Sequence, residues 1–386
     1  MLQIPSICTG CHACKSICPQ KCIIMKKTDE GFFFPVIDSK NCIGCELCKK
    51  VCPVLHASGK SQFTQAYAVK SKDEVERNNS SSGGVFPLLA KQVLQKEGII
   101  YGAAYDKNFV VRHIAVTDSI NLPVLQGAKY VQSIIGDVFL EIEQQLKSGR
   151  KVLFSGTPCQ CAGLKAFLRR NYDNLTIVDM ICHGVPSSEV WQRYIDFRAR
   201  EENDGKYPIR INMRSKVDGW SRYSTEFDYG NNKITRIPNR QDPFMRAFIG
   251  NICLRSSCSA CVEKGVERCT DITIGDYWGI WNQHPEFNDE KGTSIVFVHT
   301  TKGKNILNAV KEQIVRIEID VEDAFRENMS MMLSSVAHEK RGEFLDRVMS
   351  ENFGELVNNY FPPVVIEKQN MWKCAKKLLD KYLNRK

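Results

Sequence analysis

Two cysteine runs stand at the start of the chain: Cys8-x2-Cys11-x2-Cys14-x3-Cys18-Pro19 and Cys42-x2-Cys45-x2-Cys48-x3-Cys52-Pro53. Thiolates are soft ligands and suit iron. Three of them on a short loop can hold three corners of an iron–sulfur cube. A fourth, three residues on and followed by proline, can reach the neighbouring cube. The full pattern occurs twice, so the spacing predicts two [4Fe-4S] clusters with crossed ligation. Cys8, Cys11, Cys14 and Cys52 would surround one, and Cys42, Cys45, Cys48 and Cys18 the other. The chemistry of such a pair is one-electron transfer. Gly10 and Gly44 leave backbone amides free to face cluster sulfurs, and the prolines end each loop. Structural zinc has no need of this triple spacing. Cys8-x2-Cys11-His12 also spells a c-type haem attachment, but it lies inside the longer run. Cys22 is left as a spare thiol.

A second constellation lies far downstream: Cys253-x4-Cys258-x2-Cys261-x7-Cys269. It suits a third [4Fe-4S] cluster or a structural zinc. Ile272-Thr273-Ile274 reads as a strand that delivers Gly275 and Asp276 to a site. With Trp278 close behind, this group suits a flat ring cofactor; the plainer reading is a strand end with a capped turn. Two further cysteines sit in loops after strands. Lys151 to Phe154 leads to Gly156-Thr157-Pro158-Cys159, and Leu175 to Ile181 leads to Cys182-His183-Gly184. Loops at strand C-termini are where α/β folds place their chemistry. A cysteine there is either a ligand or a small buried hydrophobe. Ser80 to Gly84 opens a helix over Val85 to Leu94. Serines and glycines before a helix can receive an anion, or simply make a capped turn. The chain has no G-x-G-x-x-G fingerprint. Arg210, Arg214, Lys216 and Arg222 form a loose basic set, by default solvated, otherwise a phosphate or carboxylate contact.

The elements that must position these residues fall into four stretches: residues 1–55 as a two-cluster ferredoxin-like domain, 56–65 as a linker, 66–350 as a main domain, and 351–386 as a C-terminal extension. Residues 31–37, Gly-Phe-Phe-Phe-Pro-Val-Ile, are strand-like and can cover the clusters. Apolar strand runs with helical crossovers imply an α/β main domain with a partly parallel, mixed sheet. Strands are expected at Ala66 to Val69, Ile99 to Asp106, Val110 to Thr117 and Thr293 to His299. The region from Thr301 to Val348 reads as mostly helical. Residues 371–383 read as an amphipathic basic helix, suited to peripheral membrane contact, to a partner or to the chain's own core.

Composition bounds the function. A chain of 386 residues with 43% apolar content can bury a large core. The first residues do not read as a signal peptide, and no apolar run has spanning length. Seventeen cysteines in such a chain point to cofactor ligands in a reducing, cytoplasmic compartment, with membrane-peripheral placement left open by the terminal helix. The formal charge is +9. Each loaded cluster with its thiolates carries about −2, so three would leave about +3, and no nucleic-acid function is read from that.

Residues from about Tyr67 to Gly279 resemble the beta subunit of coenzyme F420-reducing hydrogenase and F420H2 dehydrogenase. The stretches that carry the resemblance are Ser81-Ser82-Gly83-Gly84, Lys129-Tyr130-Val131-Gln132-Ser133, Gly156-Thr157-Pro158-Cys159-Gln160, Cys182-His183-Gly184-Val185-Pro186-Ser187 and Cys258 through Gly279. The first unit resembles a bacterial two-cluster ferredoxin. Such a unit ahead of this domain is familiar from the dehydrogenase branch and from bacterial relatives encoded in polysaccharide-biosynthesis clusters; plant 7-hydroxymethyl chlorophyll reductase is similar in its core. The resemblance implies FAD, an α/β flavin-binding domain and a third cluster. It places Ser81, Ser82, Gly83, Gly84, Lys129, Tyr130, Gly275, Asp276 and Trp278 near FAD. It favours Cys253, Cys258 and Cys261 as cluster ligands, with Cys159 or Cys182 as the fourth. Cys161 and Cys269 depart from the family residues. His183 and Asp276 are the candidate catalytic side chains.

Three functions compete. The first is an oxidoreductase passing electrons through FAD between ferredoxin or another redox protein and a small substrate or hydride carrier such as F420. The second is a non-catalytic electron-transfer subunit of a larger complex. The third is a redox accessory protein in polysaccharide assembly.

Overall fold

A computed structural model describes residues 3–56, 59, 61 and 64–363. The basic helix expected over 371–383 lies outside the described residues. In the first unit, α1 (Ala13–Ile17) follows the first cysteine triple. β1 (Ile23–Lys27) and β2 (Phe33–Ile37) pair antiparallel with Ile23 opposite Ile37. α2 (Leu47–Lys50) follows the second triple. Few apolar side chains are buried here, chiefly Ala13, Ile23, Phe32 and Val51. So small a core needs its inorganic centres to hold it together.

The rest is built on an eight-stranded sheet. β3 (Gln65–Ser71) is followed by α3 (Glu74–Asn79) and α4 (Val85–Leu94). β4 (Ile99–Tyr105) and β5 (Val111–Val116) form a hairpin, and α5 (Val138–Lys147) leads to β6 (Val152–Ser155). α6 (Pro158–Leu168), β7 (Leu175–Met180) and α7 (Ser188–Asn203) come next. β8 (Arg210–Ser215), β9 (Ser224–Asp228) and β10 (Ile234–Pro238) make a separate antiparallel sheet. α8 (Pro243–Ile249), β11 (Ile272–Asp276), β12 (Ser294–Val298) and β13 (Ile314–Ile319) follow. The large sheet runs β13-β3-β12-β11-β7-β6-β4-β5. β4, β6, β7 and β11 are parallel neighbours, and the flanking pairs are antiparallel. The mixed sheet is as the strand runs imply. β13 corrects the expectation of a mostly helical region after Thr301. Its Ile-Val-Arg-Ile-Glu-Ile sequence has the period-two alternation of an edge strand, which was there to be read.

The parallel strands are apolar because both faces are covered. α4 and the helix Thr301–Ala309 pack on one face, and α5 and α6 on the other. α6 starts on a capping box, with Thr157 and Gln160 satisfying each other's backbone and Pro158 in the first turn. α1 of the first unit lies against α5 and α6. Cys11, Ala13 and Val51 thereby share a core with Phe154, Cys161 and Leu164. A shared apolar core fixes the two parts more firmly than a polar contact would.

Candidate metal centres and cofactor cleft

The two N-terminal cysteine sets separate as the crossed spacing predicts. One cavity is lined by Cys8, Cys11, Cys14 and Cys52. The other is lined by Cys18, Cys42, Cys45 and Cys48, with Cys22 beside them. The Cys22 sulfur lies 3.4 Å from that of Cys18. The first cavity faces the main domain. Burial pushes the Cys14 thiol up to about 12 and holds those of Cys8 and Cys11 up as well. The second faces solvent: Cys45 is exposed, and Ile43, Ile24 and Val36 beside it are 63%, 60% and 45% exposed.

A third set of thiols converges at the C-terminal edge of the parallel strands. Cys159 begins α6 after β6, and Cys182 follows β7. Cys258 and Cys261 come from the loop before β11. Cys159 acts electrostatically on Cys258, Cys182 on Cys159, and Cys261 on all three. Burial pushes Cys159 and Cys182 up to about 12 and Cys258 up to about 11, so the unloaded thiols are protonated and ligand binding must release those protons. The convergence comes from a short zipper between loops. The Arg255 amide donates to Val185 O at 2.9 Å, and the Ser187 amide donates to Cys253 O at 3.0 Å. The Val185 amide points at the Cys258 sulfur, 3.4 Å away. Gly184 is needed there, since a Cβ would stand 2.8 Å from Leu254 Cδ1.

Two sequence expectations change at this site. Cys253 is fully buried in the core with Trp191, Phe244 and Phe248, and not among these thiols. Cys159 and Cys182 both join Cys258 and Cys261, instead of competing for one place. Cys253 sits five residues before Cys258, at the zipper, where its side chain turns inward while its carbonyl makes the bond. Cys269 neighbours Cys161, Asp179 and Glu263 and stays apart. Among the described residues, no three Cys, His, Asp or Glu side chains converge at single-ion spacing. Zinc would draw its sulfurs onto bonds of about 2.3 Å, whereas thiols spread around a larger space suit a cube of irons.

Beside this set lies a cleft of rings and charges. Arg214 of β8 pairs with Asp276 at the end of β11, Nη1 to Oδ2 at 2.6 Å. Its Nη1 also donates to the Tyr130 hydroxyl at 3.2 Å, and Trp220 Nε1 donates to Asp276 Oδ1 at 3.0 Å. Trp220 stacks on Trp278 with centroids 5.1 Å apart and planes 4° from parallel. Tyr130 stacks on Phe248 at 4.9 Å. Arg214 Nε and the Tyr105 hydroxyl are buried without a partner, which leaves polar atoms for a bound group. Burial lowers the Lys129 amine to about 7; it donates to Gln126 O at 2.7 Å. Lys216, also lowered to about 7 by burial, donates to Ser82 O at 3.1 Å and Lys291 O at 2.9 Å. Trp220 and Tyr223, whose ring lies 3.9 Å under Arg214, were not singled out from sequence.

The Ser81-Ser82-Gly83-Gly84 turn is held by the sheet. Ser82 Oγ donates to Thr293 O at 2.8 Å, and the Gly83 amide to Ser294 Oγ at 2.9 Å. A Cβ on Gly83 would lie 2.4 Å from Val69 O, so that glycine serves packing. Gly275 likewise makes room for Ile181. His183 is tied at both nitrogens, to Asn251 Oδ1 at 2.6 Å and Ser330 Oγ at 3.4 Å. Burial keeps its pKa low. That is the setting of a neutral imidazole that orders its loop.

The first unit docks against these features directly. Gln132 Nε2 donates to Thr9 O at 2.9 Å. Arg341 pairs with Glu30 at 2.7 Å, and Ser188 Oγ donates to Gly31 O at 2.7 Å. On α6, one turn after Cys159, Gly163 packs against Cys11; an added Cβ would stand 2.8 Å from Cys11 Cβ. Gly163→Ala should therefore loosen this contact by about 1–3 kcal/mol. Thermal unfolding and bound iron would both report it, and an unchanged melting curve with full iron would reject the packing argument.

Comparison with known proteins follows the same division. Residues 7–55 match the 4Fe-4S dicluster domain. Residues 149–323 match the C terminus of the coenzyme F420 hydrogenase/dehydrogenase beta subunit. No curated protein sequence matches. One similar solved chain comes from a xenon derivative of the F420-reducing [NiFe] hydrogenase complex of Methanosarcina barkeri. It is 17% identical over 71% of this chain and 90% of that chain, with a TM-score of 0.47. The described residues include no helix long and apolar enough to cross a membrane. With its paired cysteine cavities and its loops at the sheet edge, the chain belongs to the coenzyme F420 hydrogenase/dehydrogenase beta subunit family and carries an N-terminal 4Fe-4S dicluster domain.

Proposed function

We propose that this protein is an iron–sulfur flavoprotein oxidoreductase that moves electrons between a redox partner and a small hydride carrier or substrate. The observation that carries the reading is the convergence of Cys159, Cys182, Cys258 and Cys261 between the first unit and the Arg214–Asp276 cleft. These thiols are the ligands of a third [4Fe-4S] cluster, and the eight cysteines of the two N-terminal cavities hold the other two. The cleft holds FAD. FAD exchanges hydride with organic substrates and single electrons with clusters. Trp278, Trp220 and Tyr130 offer apolar faces for a flat ring. Arg214 keeps Asp276 ionised and fixed at its edge, and Lys129 and Lys216 offer amines for acidic groups. The loops pack out water around buried charges, which strengthens their effect on a bound ring.

Exposed Ile43, Ile24 and Val36 around the outer cavity make an apolar rim beside Cys45, where ferredoxin or another redox protein docks. Coenzyme F420, named in the family description, is the first carrier to test. Anaerobic purification followed by metal and flavin analysis should find about twelve irons and FAD, with a flavin spectrum that bleaches on reduction. Zinc in the third set, or chain fully loaded with iron yet unable to retain FAD, would reject the reading.

A further inference from the structure

Arg255 has no part in ligation or in the cofactor cleft, yet it is one of the largest fully buried side chains, at 1% exposure. Its Nε donates to Cys8 O at 2.8 Å, its Nη2 to Phe33 O at 2.9 Å and its Nη1 to Gln132 Oε1 at 3.1 Å. Its plane covers the Phe34 ring at 4.2 Å. All three acceptors are neutral. Among the described residues, no carboxylate pairs with it, although other buried arginines such as Arg198 and Arg214 each have one. A buried guanidinium with only neutral acceptors is costly unless negative charge faces it. The groups able to supply that charge are the thiols of Cys8, Cys159 and Cys258. One belongs to the inner N-terminal set and two to the interior set.

We infer that Arg255 is the shared counter-cation of the inner N-terminal cluster and the interior cluster, and that it fixes the junction through which electrons pass between them. The inference rests on the proposed third cluster. Other contacts converge on the same junction. Gln132 holds Arg255 and Thr9 O together. Gly10 leaves space there: a Cβ would lie 3.1 Å from Arg255 Nη1 and 2.8 Å from Phe33 O. Cys159 and Gly163 occupy one face of α6, the first in the interior set and the second against Cys11.

The electrostatics favour a shared cation. When one electron leaves the centre on the Cys8 side and enters the one on the Cys159 side, the first is oxidised and the second reduced. The summed charge facing Arg255 is unchanged, so one fixed cation serves both states without rearrangement. No proton need move. The outer cluster of Cys18, Cys42, Cys45 and Cys48 has no such partner in Arg255.

The test is an EPR-monitored redox titration of the reconstituted full chain. Arg255→Gln should lower the potentials of two clusters, because lost positive charge disfavours reduction. A tenfold shift in each reduced-to-oxidised ratio is expected, which for one electron is about 59 mV. The third cluster should not move. Arg255→Lys should keep the potentials, and Arg341→Gln, which removes another cation from the same interface, should leave all three in place. Fully loaded Arg255→Gln with unshifted potentials would overturn the inference, as would equal shifts in all three or the same shifts from Arg341→Gln. If Arg255→Gln fails to load, Arg255→Lys decides. Full loading with unshifted potentials supports the charge role; failure to load, or displaced potentials, overturns it. Wild-type protein with only about eight irons would instead reject the third cluster itself, and so is told apart from failure of the Arg255 role.

Discussion

Cys159→Ala and Cys182→Ala should each strip about four of about twelve iron atoms from the protein, whereas Cys253→Ala should leave the iron content whole. The contrast comes from where the thiols point. Cys159, Cys182, Cys258 and Cys261 face one another, and Cys253 faces Trp191 and Phe248 in the core. Loss of one thiolate from a four-thiolate site leaves a corner of the cube open to water and oxidation. Cys253→Ala instead removes one sulfur from a packed core and costs about 1–2 kcal/mol of stability. Iron per chain and the EPR spectrum of the reduced protein would separate the two effects. Loss of cluster from Cys253→Ala with full retention in Cys182→Ala would overturn the assignment.

Asp276→Asn should destabilise the protein by about 3–5 kcal/mol and release flavin. The Arg214 side chain is 2% exposed and that of Asp276 is 16% exposed, so the pair lies largely out of water. Removing the carboxylate charge leaves the guanidinium buried without an anion, and Trp220 Nε1 loses a charged acceptor. Arg214 also orders the Tyr130 hydroxyl and covers Tyr223, so the change spreads through the cleft. Denaturant unfolding gives the stability loss, and flavin fluorescence after gel filtration gives the release. Arg214→Met combined with Asp276→Asn should be less destabilised than the two single losses added, because neither charge is then left alone. A stability change within about 0.5 kcal/mol for Asp276→Asn would show that the carboxylate has another role, such as proton donation to a substrate.

The N-terminal cavities were legible in the residue spacing, because three ligands of each come from one short loop and the fourth from a repeat of it. The α/β class was legible too, since strand runs buried on both faces must be continuously apolar. β13 was missed although its alternation is plain. The interior thiol set was only half legible. Its members come from loops after β6 and β7 and from the segment before β11, and local spacing carries no information on which loops meet. Cys253-x4-Cys258-x2-Cys261-x7-Cys269 looks like a complete ligand set in one dimension. The zipper between residues 185–187 and 253–255 turns Cys253 into the core and brings Cys182 alongside Cys258.

The sequence by itself determined that this protein carries paired clusters, which residues surround each, and that an α/β domain with further thiols follows. Those facts depend on short-range spacing and on hydrophobic period, both of which are written along the chain. Only the tertiary structure decided that the inner N-terminal cavity shares a core with α6, that Arg214 locks Asp276, and that Arg255 stands between two thiol sets. Each of those depends on residues more than 60 positions apart. Burial made the difference: a guanidinium in water needs no particular partner, but one excluded from water must find its charge where the fold provides it.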